Sequence, residues 1–222
     1  MIRKRSIVAL ALMILLSIAS LPAIQGTGAQ DSNEPDQQVT TVAFDVAEDM
    51  SRFVFDKDVA HEDGMPAHGS NFITQGYIYP AGTLNGSNGV LADGSPEFPE
   101  LVIGTWACRG WFVGDGAHAA TGPMVLTTQH YVFGEDLGTV TFASEGYELS
   151  DVGVPILRAV TGGTGPFSSI DGEVEITFLG FNASEGVNQQ IVAELVGVDE
   201  DAIAYSLLPI AARTVSPSSA AN

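Results

Sequence analysis

Cationic side chains are scarce in this chain. Its 222 residues carry 8 Lys and Arg against 27 Asp and Glu, a net charge of −19. Such a surface repels nucleic acid and anionic membranes, so neither is expected as a partner. Cysteine is nearly absent: Cys108 stands alone, which excludes an intrachain disulfide and leaves the core, or self-association, to hold the fold. The four histidines match no usual zinc spacing. His61, Glu62, Asp63 and His68 share one loop that reads as a solvated polar segment, and no metal or cofactor is expected. The longest apolar run, Ile7 to Ala19, is shorter than the ~20 residues a membrane-spanning helix needs.

That run follows Arg3, Lys4 and Arg5, and small residues continue from it to Thr27-Gly28-Ala29. A basic start, an apolar stretch and a small-residue cleavage site together read as a secretory signal over residues 1–29, which places the mature chain outside the cell. Its removal leaves five basic residues against 27 acidic ones, a net charge of −22. Residues 30–38 read as a disordered acidic leader and 215–222, rich in Ser and Ala, as a loose tail. Residues 39–214 then form one domain, long enough to bury a real core.

Within that domain the dominant period is two. Residues 52–56, 71–79, 104–113, 125–133, 138–146, 172–181, 188–198 and 203–209 alternate, favour Val, Ile, Thr and aromatics, and are separated by turn signals. Residues 154–161 suggest a further strand, and 39–49 either a turn of helix or a leading strand. The stretch 80–99, with three Asn-Gly or Asp-Gly pairs, reads as one long loop. Many short strands at regular spacing imply a sandwich or a barrel.

The segment 138–181 is the most distinctive. Two alternating strands flank Gly162-Gly163-Thr164-Gly165. A phosphate-binding loop would need Lys-Ser or Lys-Thr and then a helix, but Pro166-Phe167 and another strand follow instead. No βαβ unit surrounds the cluster, so a dinucleotide site is excluded as well. The glycines read as a tight crossing of strands, with Phe167 plugging inward.

This run resembles the signature of the allene oxide cyclase-like and dirigent-like barrels: a Gly-Gly-Thr/Ser-Gly turn, an aromatic, a short spacer and Gly-x-Val into a strand. The preceding His130-Tyr131-Val132-Phe133-Gly134 and Asp136-Leu137-Gly138-Thr139-Val140 are similar to that superfamily too. The resemblance implies an all-β fold, a single eight-stranded antiparallel barrel of the calycin type, assembled as a homotrimer. It also implies an interior that holds side chains or one small ligand.

Two further stretches resemble the cyclases. Val54-Phe55-Asp56-Lys57-Asp58 before Gly64-Met65-Pro66 places Asp56 at the position of a carboxylate on the cavity bottom, Asp58 at a water-holding Asn, and Pro66 at a conserved turn. The resemblance thus makes Asp56 and Asp58 the catalytic candidates. Alternation alone leaves two arrangements open: both Asp inward, at a large desolvation cost, or Phe53 and Phe55 inward with both Asp in water. In Thr105 to Phe112, the residues Trp106, Cys108, Gly110 and Phe112 share one face. The resemblance makes Cys108 a cavity-lining residue, with Trp106 and Phe112 beside it and space at Gly110. Pro66, His130 and Phe167 complete the candidate ligand-binding set, although His130 faces either cavity or solvent. Arg109 and Arg158 are expected to pair with surface carboxylates.

Three functions follow. A secreted barrel binds a small hydrophobic or amphipathic molecule unchanged, or acts on it as an isomerase or cyclase. A dirigent-like barrel steers phenolic coupling. A structural or interaction barrel is filled by its own side chains. Cavity and lining distinguish them.

Overall fold

The computed structural model describes residues 38–134, 140–198 and 200–213. The signal (1–29), nearly all of the leader and the 215–222 tail lie outside these residues. Eight strands follow one another: β1 Thr40–Phe55, β2 Asn71–Pro80, β3 Gly104–Phe112, β4 Pro123–Phe133, β5 Thr141–Leu149, β6 Pro155–Gly163, β7 Asp171–Phe181 and β8 Val187–Val196. Each pairs antiparallel with the next, and β8 returns to β1, closing an eight-stranded all-antiparallel barrel. Closure removes every sheet edge that could template aggregation.

Alternation decides what the interior receives. Phe44 and Val46 of β1, Trp106 and Cys108 of β3, Gln129 and Tyr131 of β4 and Ile191 and Ala193 of β8 are all buried. Between them, residues such as Arg109, His130 and Glu194 face out. One outer face is covered. The 80–103 loop folds over β1 and β2, where Leu84 and Val90 pack on Ala47 and Tyr79. The Tyr79 hydroxyl donates to the Gly89 carbonyl at 2.6 Å.

Two expectations are corrected. Residues 39–49 and 52–56 form one strand, β1, interrupted by a bulge. Asp49 pairs with Gln75 and Val54 with Ile73, so four residues stand between them against a single β2 residue. The Asp49 carboxylate holds that bulge by accepting from the Ser51 N–H, the Ser51 hydroxyl and Arg52 Nε. Residues 203–209 are not a strand: 203–206 form the end of the short helix α1 Glu200–Ser206, and 207–209 turn into a second, α2 Ile210–Arg213. Acidic residues at the first turn of α1 suit a helix start. Ile203 and Leu207, four apart, pack onto the core.

The glycine cluster makes the close backbone approach expected of it, as a bulge and turn between the antiparallel neighbours β6 and β7. Gly162 (φ +126°) sits at a bulge where β6 carries one residue more than β5. A side chain at Gly163 would meet the Thr141 carbonyl oxygen at 2.5 Å. A single 3-10 turn at Gly165–Phe167 follows, and β7 begins without any α-helix.

Candidate functional site

The barrel is packed at one end and hollow at the other. At the packed end five fully buried rings, Phe44, Tyr131, Phe133, Phe142 and Phe167, fill the interior. Phe142 lies 4.7 Å from Tyr131 and 5.2 Å from Phe167, centroid to centroid. These rings leave no room for a ligand.

A polar layer crosses the barrel above them. Gln129 is its hub, accepting from Trp106 Nε1 (3.0 Å) and the Tyr131 hydroxyl (2.7 Å), and donating to Glu148 (2.8 Å). Glu148 also accepts from Gln189 (2.6 Å) and from the Thr127 hydroxyl. Arg158 stands 3.5 Å from the same carboxylate. It also donates to the carbonyls of Gly146 (3.0 Å), Tyr147 (3.2 Å), Thr127 (2.8 Å) and Ser144 (3.3 Å). The reason is local. β6 pairs with β5 only as far as Glu145, and past that point the guanidinium supplies donors to the Gly146 and Tyr147 carbonyls. Gly146 makes room for it, since a side chain there would meet Arg158 Cγ at 2.9 Å.

Above this layer lies a cavity of about 180 Å³, open at the end of the barrel where the 56–70, 113–122 and 182–186 loops meet. Phe53, Phe72, Phe112, Val125, Met50 and Met124 form most of its walls, with Trp106, Cys108, Thr74, Glu48 and Glu148 deeper in. Pro66 and Ala117 stand at the rim, joined by the Ala117 N–H donating to the Pro66 carbonyl at 2.9 Å. Beyond them, His61 and His118 stack at 4.0 Å, and His118 pairs with Asp63 at 2.9 Å.

Glu48 is the unusual group. It is buried on β1 beside the bulge and accepts from the Val187 N–H at 2.9 Å. Burial pushes its carboxyl above the usual range, and the nearby Glu148 and Asp49 charges add to that; contact with the Thr74 hydroxyl opposes it. Among the described residues no cation pairs with it. Cys108 is also buried, its thiol pushed well up by burial and then by Glu148, so it stays protonated and is no thiolate nucleophile.

Pro66, Trp106, Cys108 and Phe112 thus come together around one void. The other candidates do not reach it. Asp56 follows β1 in a turn where its Oδ1 accepts the Asp58 N–H at 3.0 Å, and Asp58 is exposed. Phe53 takes the inward face instead, stacked 5.4 Å from Phe72. The desolvation cost of two carboxylates decides the matter, and the expectation of Asp56 and Asp58 in the cavity is corrected. His130 is exposed on the outer face of β4, opposite Ala107. Phe167 fills the packed end and does not line this cavity. Gly110 offers no space, because a side chain there would meet the Leu126 carbonyl at 2.2 Å. Arg158 is buried against Glu148 rather than paired at the surface. The sequence reading missed Glu48, Glu148, Gln129 and Gln189.

Glu48 gives the fold a pH dependence. Its folded value is raised above 4.5, so the folded state binds protons more readily than the unfolded chain. The stability this contributes is complete below pH 4.5 and is lost as pH rises through the raised value. Buried Asp45 acts in the same direction. Asp63, Asp93 and Asp151, held low by hydrogen bonds, act in the opposite direction: their contribution is complete above pH 3.8 and is lost as pH falls below it. Glu48→Gln should therefore melt above the wild type at pH 7.5, by about 2–4 °C for each kcal/mol of buried charge removed, and converge with it near pH 4. Thermal melts across that range check this; a wild type that outlasts the variant at high pH would contradict it.

No family model and no curated protein matches the chain. Solved structures do. The pterocarpan synthase dirigent protein PsPTS1 matches with a TM-score of 0.52 at 12% identity, over 73% of this chain and 97% of that one. A second pterocarpan synthase dirigent protein, GePTS1, gives 0.52 at 11%, over 73% and 92%. AbnU, an exo-specific intermolecular Diels-Alderase, matches more loosely, at 0.43 and 16%, over 71% and 98%. At such identities the two dirigent proteins share a fold with this chain, and no chemistry follows from that alone.

Proposed function

We propose that this chain, on a barrel fold it shares with dirigent proteins, is a secreted protein that binds one small, mainly apolar molecule in its open end. The observation that carries the reading is the cavity of about 180 Å³ between Phe72, Phe112 and Val125. An engineered apolar void of ~150 Å³ admits benzene, so a ring-sized body fits here, with any substituent directed to the opening. A barrel filled by its own side chains is disfavoured by the same void.

Glu48 favours a second, catalytic reading. A raised carboxyl inside a ligand cavity is a frequent mark of a reacting site. Here the reaction would be an isomerisation or cyclisation in which rigid apolar walls orient a flexible substrate, and the carboxylates stabilise developing positive charge. Dirigent-like steering of phenolic coupling would use the same walls. The homotrimer belongs to the same proposal. Val54, Ile73 and Trp111 line one exposed outer groove that would supply its contact, and sedimentation equilibrium would report it.

Titration with N-phenyl-1-naphthylamine, a neutral fluorophore that brightens in apolar sites, tests the binding reading. Saturable, blue-shifted emission at one molecule per chain is expected. Ala117→Trp, which pushes a large ring in from the rim, should weaken it about tenfold or more without lowering the melting temperature. Absence of saturable emission, or binding indifferent to Ala117→Trp, would overturn it.

A further inference from the structure

The cavity's polar groups point to the charge of its occupant, an inference that rests on the binding reading above. The ionisable groups that line it are all acids apart from the Cys108 thiol: Glu48, Glu148 and Glu185. Glu148 already has partners, with Arg158 behind it and Thr127, Gln129 and Gln189 donating to its oxygens. Among the described residues Glu48 has one backbone N–H donor and no countercharge. Thr74, almost fully buried beside it, touches Glu48 closely enough to favour its ionised form, yet its Oγ1 makes no hydrogen bond of good geometry. A buried acid without a cation and a buried hydroxyl without a full partner leave one charge and one acceptor unmet in the same wall.

The remaining walls favour the same sign. Phe53, Phe72 and Phe112 lie within 5.2–6.4 Å of one another, centroid to centroid, and border the void. Aromatic faces carry negative potential and attract a cation while repelling an anion. Methionine sulfurs from Met50, Met65 and Met124 add polarisable surface that suits a ring body. The chain's net charge of −19 also enriches cations near the opening.

We propose that the occupant is a small hydrophobic amine bound as its ammonium ion, with N–H groups directed to Glu48 and Thr74 and its ring among Phe53, Phe72 and Phe112. The ammonium supplies the countercharge Glu48 lacks and donates to the Thr74 oxygen. The apolar body fills the void. A neutral molecule of the same shape would leave Glu48 protonated or uncompensated, and a carboxylate would face both like charge and the ring faces.

Three molecules that share one ring and tether separate these cases by calorimetry at pH 7.5: 3-phenylpropylamine, 3-phenylpropan-1-ol and 3-phenylpropanoate. The amine is expected to bind one per chain, about tenfold or more tighter than the alcohol, with the acid weakest. Glu48→Gln should erase that preference, bringing amine and alcohol to within about threefold of each other, since the charged contact is removed. Asp56→Asn, a charge change outside the cavity, should keep it and so exclude general surface attraction. Equal binding of amine and alcohol, or a preference that survives Glu48→Gln, would overturn the inference while leaving an apolar site. Failure of all three molecules while N-phenyl-1-naphthylamine binds would also overturn it. Failure of all four would remove the binding reading as well.

Discussion

Arg158→Met is expected to cost about 3–5 kcal/mol of stability, the range for stranding one member of a buried ion pair. In a domain of this size that lowers the melting temperature by roughly 10 °C or more. Two losses combine. Glu148 loses its cationic neighbour and is left with only neutral donors below the cavity. The carbonyls of Gly146, Tyr147, Thr127 and Ser144 lose a shared donor at the point where β5 and β6 part. Adding Glu148→Gln to Arg158→Met should recover only part of the loss, because it removes the stranded charge and not the orphaned carbonyls. If Arg158→Met gives no soluble protein, Arg158→Lys should fold at an intermediate stability, keeping the charge and losing the fork of donors. A melting temperature within 2 °C of wild type for Arg158→Met would mean that the polar layer does not hold this seam.

Phe142→Ala is the second large effect, about 3–5 kcal/mol for deleting a fully buried ring. Phe142 touches Phe44, Tyr131, Phe133 and Phe167, so its loss opens a void within the packed end that those neighbours close only in part. The mouth cavity lies on the other side of the Gln129 layer and shares none of these rings. Binding of N-phenyl-1-naphthylamine, measured well below the variant's melting temperature, should therefore stay within about threefold of wild type. Denaturant unfolding and the fluorophore titration together check this. A stable variant that has lost binding would show that the two ends are one compartment.

The barrel was legible in the sequence because its signals are local. Alternation marked β2, β3, β4 and β7 almost to the residue, and Gly162 to Gly165 marked the turn between β6 and β7. The 203–209 stretch misled because Ile, Leu and Tyr suit a strand as well as a helix. Its acidic start and four-residue spacing were the stronger signals. Part of the cavity lining was also legible: Trp106, Cys108 and Phe112 follow from period two once the barrel is granted. The carboxylates were not. Glu48 lies in a stretch that allowed either helix or strand, and Glu148 lies two residues past the end assigned to its strand. Sequence alone gives no sign that Arg158, four residues before Gly162, turns inward to meet a residue on β5. Buried charge is paid for by tertiary partners, and such partners leave no local pattern. The cyclase-like alignment drew attention to Asp56, while the cavity took its acids from residues deeper in the barrel.

Diffraction from crystals pressurised with xenon tests the central claim most directly, because xenon settles in apolar voids whatever their natural occupant. One well-occupied site is predicted, bounded by Phe72, Phe112 and Val125 and above Trp106, with none among Phe44, Phe133 and Phe142. No xenon in the mouth, with those walls in contact across it, would contradict the account.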